Sequence, residues 1–193
     1  MAFSKDALDF YTSFFLGNRD RFDSMHSIDK ETFINYISDC NSSSIREAVT
    51  LHYLKYQSYD SKHGFDGFDP TTGRQKEIKP RFFTDKKVSL GGNFNDLTLS
   101  LLEKKKDCDI ICSSFMANDL LFIVEFPISD IYERLKIPII NAKLGKRIVC
   151  PFSYKDIINS TQVKIHFYNE EVINKTNCLT TSLARFFKER GDK

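Results

Sequence analysis

"GFDGFDPTTGRQKEIKP", residues 64–80, is the stretch on which the reading of this chain turns. Pro70 presets φ for the first position of a turn, and Gly73 supplies a left-handed one. A four-residue loop, 70–73, therefore joins two strands and sets Asp69 opposite Arg74. In that register Phe68 faces Gln75, Gly67 faces Lys76 and Asp66 faces Glu77. Directly opposed residues on one sheet face have Cβ atoms about 4.5–5.5 Å apart. Two like charges so placed destabilise a hairpin unless something cationic lies between them. Lys79 shares the face of Glu77, and Gly64 opposite it leaves room.

A divalent cation meets that requirement. Mg²⁺ takes oxygen ligands at about 2.0–2.1 Å and keeps several waters, so two carboxylates and a phosphate suffice. Such an ion acidifies or positions a water and neutralises charge developing on the phosphate. Lys79 would orient that water or stabilise the pentavalent phosphorus. The chemistry implied is hydrolysis of a phosphodiester. The plainer reading of the same residues is an exposed charged hairpin, with Asp69 and Arg74 as a surface pair across the turn.

Three helices are expected before the hairpin. Residues 5–16 place Leu8, Tyr11 and Phe15 at helical spacing, and Gly17 stops that helix. A second starts at Asp29 with Phe33, Ile34 and Ile37 inward; in a third, Ser44 and Glu47 fit a capping box. After the hairpin, "RFFTDKKVSLGGNF" reads as a loop or short strand broken at Gly91 and Gly92. Asp96 then caps a helix whose end carries the lysines 104–106, where positive charge suits the C-terminus. "DIICSSF" and "LLFIVEF" form a hairpin through "MAND", followed by a short helix at "SDIYERL". Glu125 stands inside an apolar strand, which calls for a polar partner unless it marks the strand end before Pro127. "GKRIVCPF" and "TQVKIHFY" are further strands, and "LTTSLARFFKERG" is a closing helix. One α/β or α+β domain over 1–193 is expected, with no internal boundary or repeat.

Composition is permissive. With 41% hydrophobic and 28% charged residues, neither a disordered nor a fibrous chain is expected. A net charge of +2 means that an anionic partner must meet a local basic patch. The five cysteines lack a C-x-x-C pair and read as reduced, mostly buried thiols of a cytoplasmic protein. Lys5, Asp6 and Asp9 interrupt the N-terminus, so neither a signal peptide nor a membrane span is expected there. No phosphate-cradling glycine loop, H-E-x-x-H, G-x-S-x-G or dinucleotide fingerprint is present.

Asp66 on one strand and the triplet Glu77-Ile78-Lys79 on the next resemble the PD-(D/E)XK nuclease superfamily, whose best-known branch is the type II restriction endonucleases. "FDG" and "EIK" carry the resemblance, with Pro80 following the lysine and a helix preceding the hairpin. The chain departs from the pattern in placing Phe65, not proline, before Asp66, and in a short Asp-to-Glu separation. Asp69 is the alternative acid, but strand alternation sends it to the opposite face.

The resemblance implies a restriction-endonuclease-like core, a central mixed β-sheet flanked by helices. A helical N-terminal extension (1–43), a catalytic core (44–126) and C-terminal strands and helix (127–193) would follow. It implies Mg²⁺, with Mn²⁺ able to substitute, held by Asp66, Glu77 and the Ile78 carbonyl, and Lys79 serving the water. Glu47, on the preceding helix, and Gln75, on the catalytic face, are additional candidates. The implied substrate is double-stranded DNA cut at a specific short sequence by a homodimer, with a cognate DNA methyltransferase as candidate partner. Phe10, Phe14, Phe15 and Phe33 would serve that interface or, more simply, the core. Candidate DNA contacts are Arg81, Lys86 and Lys87, the "KLGKR" residues Lys143, Lys146 and Arg147, and Asn93 and Asn95 in a flexible polar loop. His63 is a candidate phosphate contact. A structure-selective repair or phage-type nuclease, or a non-catalytic DNA-binding protein, remain the alternatives.

Overall fold

The computed structural model describes residues 3–39, 43–59, 64–84, 87–143 and 147–191. Helix α1 (Lys5–Phe15) starts at Ser4, whose hydroxyl accepts from the Ala7 amide, and ends before Gly17 at φ +93°. A four-residue helix α2 (Asp20–Asp23), which no sequence signal marked, precedes α3 (Ser27–Ser38). Helix α4 (Ser43–Tyr53) already includes Ser44, so the expected capping box of Ser44 and Glu47 does not form the helix start.

Two short strands follow, β1 (Gln57–Ser58) and β2 (Gly67–Phe68), and then the long β3 (Gln75–Phe83). The β2–β3 register is the expected one, Gly67 with Lys76 and Phe68 with Gln75. The Asp69 amide donates to the Arg74 carbonyl at 2.9 Å, and Gly73 adopts φ +71°. Among the described residues β3 beyond Ile78 pairs only with the strand on its other side, and there Pro80, lacking an N–H, is tolerated.

The expected glycine break is instead a strand, β4 (Gly91–Asn95), paired with β7 (Val149–Ser153). Close approach explains the correction. A Cβ on Gly91 would lie 2.4 Å from the Phe152 carbonyl, and one on Gly92 would meet the Phe152 ring at 3.0 Å and Lys79 Cβ at 3.2 Å. Nor does Asp96 cap the next helix: it has φ +55°, and α5 (Leu99–Lys104) is capped by Thr98, whose hydroxyl accepts from the Leu101 amide.

Strands β5 (Asp109–Met116) and β6 (Asp119–Pro127) form the expected hairpin through Ala117 and Asn118. A 3₁₀ turn (Ile128–Ile131) leads into α6 (Tyr132–Ile140), longer than the sequence pattern indicated. The chain closes with β7, α7 (Tyr154–Ile157), β8 (Lys164–Tyr168), α8 (Glu170–Thr176) and α9 (Thr181–Gly191). The result is a mixed sheet in the order β1-β2-β3-β5-β6-β8, parallel only between β3 and β5, with β4 and β7 as a separate pair.

Helices cover both faces of the large sheet, and that explains the unbroken apolar runs of β5 and β6. On one face Ile78, Ile111, Phe115 and Ile123 pack against Phe14, Phe15, Phe33, Ile45 and Val49 of α1, α3 and α4. On the other, Ile110, Cys112, Phe122 and Val124 pack against α5, α6, α9 and the small sheet. Phe14, Phe15 and Phe33 are core residues, and Phe10 packs on them, so these rings are used within one chain. Cys108, Cys112, Cys150 and Cys178 are buried and unpaired; Cys40 lies outside the described residues. Among the described residues no helix is long and apolar enough to cross a membrane.

Candidate active site

Alternation along β3 divides its polar residues between the two faces of the sheet. Gln75, Glu77, Lys79 and Arg81 point towards α5 and the small sheet; Lys76 and Ile78 point towards α4. Glu77 is buried, and each of its carboxylate oxygens holds a lysine. Lys79 Nζ donates to Oε1, and Lys105 Nζ donates to Oε2 at 2.5 Å. Burial works against the charge of Glu77, but the two ammoniums outweigh it and hold its carboxyl below the usual range. Lys79 Nζ also lies 4.4 Å from the centroid of the Phe94 ring on β4, a cation–π contact that keeps the ammonium over the site. Gly92 makes that contact possible by letting β4 approach Lys79.

Asp66 stands immediately before β2, where the ladder ends with Gly67 opposite Lys76, so Asp66 is not the direct cross-strand partner of Glu77 that the hairpin register predicts. Its amide donates to the Lys76 carbonyl, and its Oδ2 accepts from the Ile78 amide at 2.7 Å. The carboxylate thus takes the place that the next residue of a longer β2 would hold. In a strand the N–H and C=O of one residue face the same neighbour, so the Ile78 carbonyl also opens on the edge beside Asp66. Burial, and then the charge of Glu77, push the Asp66 carboxyl up to about 6; Glu47, on α4, adds to the effect. Asp66, Glu77 and Lys79 therefore lie within one electrostatic neighbourhood, and Glu47 looks onto it from the helix. Gln75 is half-buried at the first position of β3, across from Phe68.

Among the described residues no group of three or more His, Cys, Asp or Glu side chains is placed to hold a metal ion. The oxygens offered at this edge are hard donors: Asp66 on the Ile78 amide, Glu77 within its electrostatic reach, and by strand geometry the Ile78 carbonyl. Such a set fits Mg²⁺, which needs only one or two carboxylates and keeps its waters. The Asp66 carboxyl is raised first by burial and then by the charge of Glu77, so a cation bound beside it would favour its ionised form.

The remaining sequence candidates divide. Arg81 is exposed, and its guanidinium donates to Ser89 Oγ at 3.3 Å. Lys87 is bound to the Asn177 carbonyl and Arg147 pairs with Asp96 at 3.3 Å, so neither is an uncommitted phosphate contact. Asn93 and Asn95 are exposed, but on strand β4, not in a flexible loop. Lys143 is exposed after α6. Lys86, Lys146 and His63 lie outside the described residues. Asp69 and Arg74 do not form the expected side-chain pair. The Asp69 carboxylate accepts from the Thr71 amide and the Thr72 hydroxyl, while Arg74 Nε reaches Asp109 at 2.7 Å.

Sequence reasoning missed two things. Lys105, read as helix-end charge, is buried and turned into the site. On the opposite face Lys76 is buried between Asp109 at 2.8 Å and Glu125 at 2.9 Å. Glu125 also accepts from the Tyr56 hydroxyl and meets His166 Nε2 at 2.8 Å. A β-bulge opposite Ile123 and Val124 puts His166 out of register, towards Glu125. Glu125 in its apolar strand was the one visible sign of this cluster. No protein-family model matches the chain, and no curated protein matches it at a significant level.

Proposed function

We propose that this protein is a Mg²⁺-dependent endonuclease that hydrolyses phosphodiester bonds of double-stranded DNA at a specific sequence. The observation that carries this reading is the half-buried Asp66 carboxylate, hydrogen-bonded to the Ile78 amide beside Glu77 and Lys79. An acid ending one strand, with an acid-x-lysine triplet on its hairpin partner, is the arrangement the PD-(D/E)XK resemblance calls for. The mixed sheet flanked by helices, with α4 before the hairpin, supports the same reading.

Asp66, Glu77 and the Ile78 carbonyl would hold the ion. Bound there, Mg²⁺ would neutralise charge developing on the phosphate and acidify the attacking water. Glu77 fixes the ammonium of Lys79, and the Phe94 ring lies against it. From that position Lys79 donates a hydrogen bond to the water or to the crowded phosphoryl oxygens. Burial strengthens each of these interactions by excluding water. Arg81, Asn93, Asn95 and Lys143 are exposed and suited to DNA contact; a homodimer would bring one such site to each strand.

Digestion of plasmid and phage DNA with Mg²⁺ or Mn²⁺ tests the reading, comparing wild type with Asp66→Ala and Lys79→Ala. Discrete fragments, lost in both variants, are expected. Smearing or preference for branched substrates, lost in both, would keep the site and replace sequence specificity by structure selectivity. DNA left intact with either metal would overturn the catalytic reading.

A further inference from the structure

The lysine that sequence reasoning passed over sits at the centre of the site. Lys105 closes α5, one layer away from β3, and is 7% exposed. Its Nζ donates to Glu77 Oε2 at 2.5 Å and to the Gly64 carbonyl, and lies 4.4 Å from the centroid of the Phe65 ring. A buried ammonium is costly unless its hydrogen bonds are met, and here a carboxylate, a carbonyl and an aromatic face meet them. Those first two groups are also the hard oxygens a metal ion would seek. With Lys79 on Oε1, Glu77 has no oxygen without a cation.

Charge count sharpens the point. Asp66 and Glu77 supply two negative charges; Lys79 and Lys105 supply two positive ones. Both lysines are spent on Glu77, while Asp66 accepts from the Ile78 amide, so a divalent cation must take Glu77 from one of the lysines. Lys79 comes from the same strand as Glu77, two residues on, and follows it wherever β3 goes. Lys105 comes from another element, on a four-carbon stem able to withdraw along the Phe65 ring.

We infer that the Lys105 ammonium holds the cation position on Glu77 in the metal-free protein and gives up Oε2 when a divalent cation binds. This rests on the metal-site reading above. Lys105 keeps the buried Glu77 carboxylate compensated without metal, at the cost of weakening metal affinity.

The test is titration of the full chain with Mn²⁺ alone by isothermal titration calorimetry, comparing wild type, Lys105→Met and Asp66→Ala. Lys105→Met, which keeps the stem and removes the charge, is expected to bind Mn²⁺ about tenfold more tightly. Unchanged or weaker binding, with wild-type binding abolished by Asp66→Ala, overturns the inference and leaves the metal site standing. Absence of Mn²⁺ binding in wild type and Lys105→Met alike overturns both. A second measurement needs no variant at Lys105. Acetylation of its amine in wild type, followed by mass spectrometry, is expected to accelerate at least severalfold on Mn²⁺ binding, because the ammonium leaves its carboxylate. An unchanged acetylation rate at saturating Mn²⁺ overturns the inference even if Lys105→Met does not fold.

Discussion

Lys76 and Glu77 are neighbours on one strand, yet each anchors a charged cluster on an opposite face of the sheet, and the two clusters differ in kind. Around Lys76 every charge has an answer: Asp109 and Glu125 hold the ammonium, Arg74 completes Asp109, and Tyr56 and His166 complete Glu125. Burial would raise the Glu125 carboxyl, but the hydrogen bonds from His166 and Lys76 hold it down at about 2. Around Glu77 the account does not close, and Asp66 is left with its carboxyl pushed up to about 6. A folded protein keeps such an unresolved charge where the fold alone does not explain it, and that makes the Glu77 face the candidate for chemistry.

The largest expected effect breaks the settled cluster. Lys76→Met leaves Asp109 and Glu125 buried without their shared cation and should cost about 3–5 kcal/mol, read by urea unfolding at pH 7. A loss below about 1 kcal/mol would mean that water reaches these carboxylates and that the contrast is false.

Acid unfolding probes the same cluster next. Because the folded carboxyl of Glu125 is depressed, its stabilisation is complete above the unfolded value near 4.5 and disappears as pH falls towards about 2. Glu125→Gln should therefore flatten the acid limb of the stability curve over that window. An unaltered limb would remove Glu125 from the explanation.

The opposite sign is expected at Asp66. Its folded carboxyl is raised, so its charge opposes folding: the penalty is absent below about pH 4 and complete above about 6. Asp66→Asn should stabilise the metal-free protein by roughly 1–2 kcal/mol at pH 7.5, discounted from the full shift because Asp66 is only half-buried. The gain should vanish at pH 4 and shrink on adding Mn²⁺. A destabilised variant at pH 7.5 would mean that the Ile78 hydrogen bond outweighs the charge.

The smallest effect concerns delivery of Lys105. Thr98→Ala removes the cap of α5 and should cost about 1 kcal/mol. Hydrogen exchange would locate the loosening in 99–105; a loss spread evenly over the sheet would show that α5 does not move as a separate element.

The hairpin was legible because its determinants are local. The turn of Asp66 onto the Ile78 amide, beyond the end of the ladder, was not legible, but Pro70, Gly73 and the two-residue alternation are enough to set Gly67 against Lys76 and Phe68 against Gln75. The β5–β6 hairpin was legible for the same reason. Lys105, Asp109 and His166 were not, since each acquires its meaning from a partner 28, 33 or 41 residues away. No local pattern distinguishes a lysine ending a helix in solvent from one turned into a carboxylate. Gly91 and Gly92 misled in a related way: they read as a break, whereas the space they leave is filled by Phe152 of a strand some 60 residues on.

Two of the buried thiols have a practical consequence. Cys112 lies on the central strand β5 and Cys108 just before it, and burial pushes both thiols up to about 12. Alkylating reagents attack the thiolate, so neither sulfur reacts while the chain stays closed around it. Label arriving at these two sulfurs then counts opening events. The protein carries its own clock for how often its middle comes apart, with no probe to be engineered.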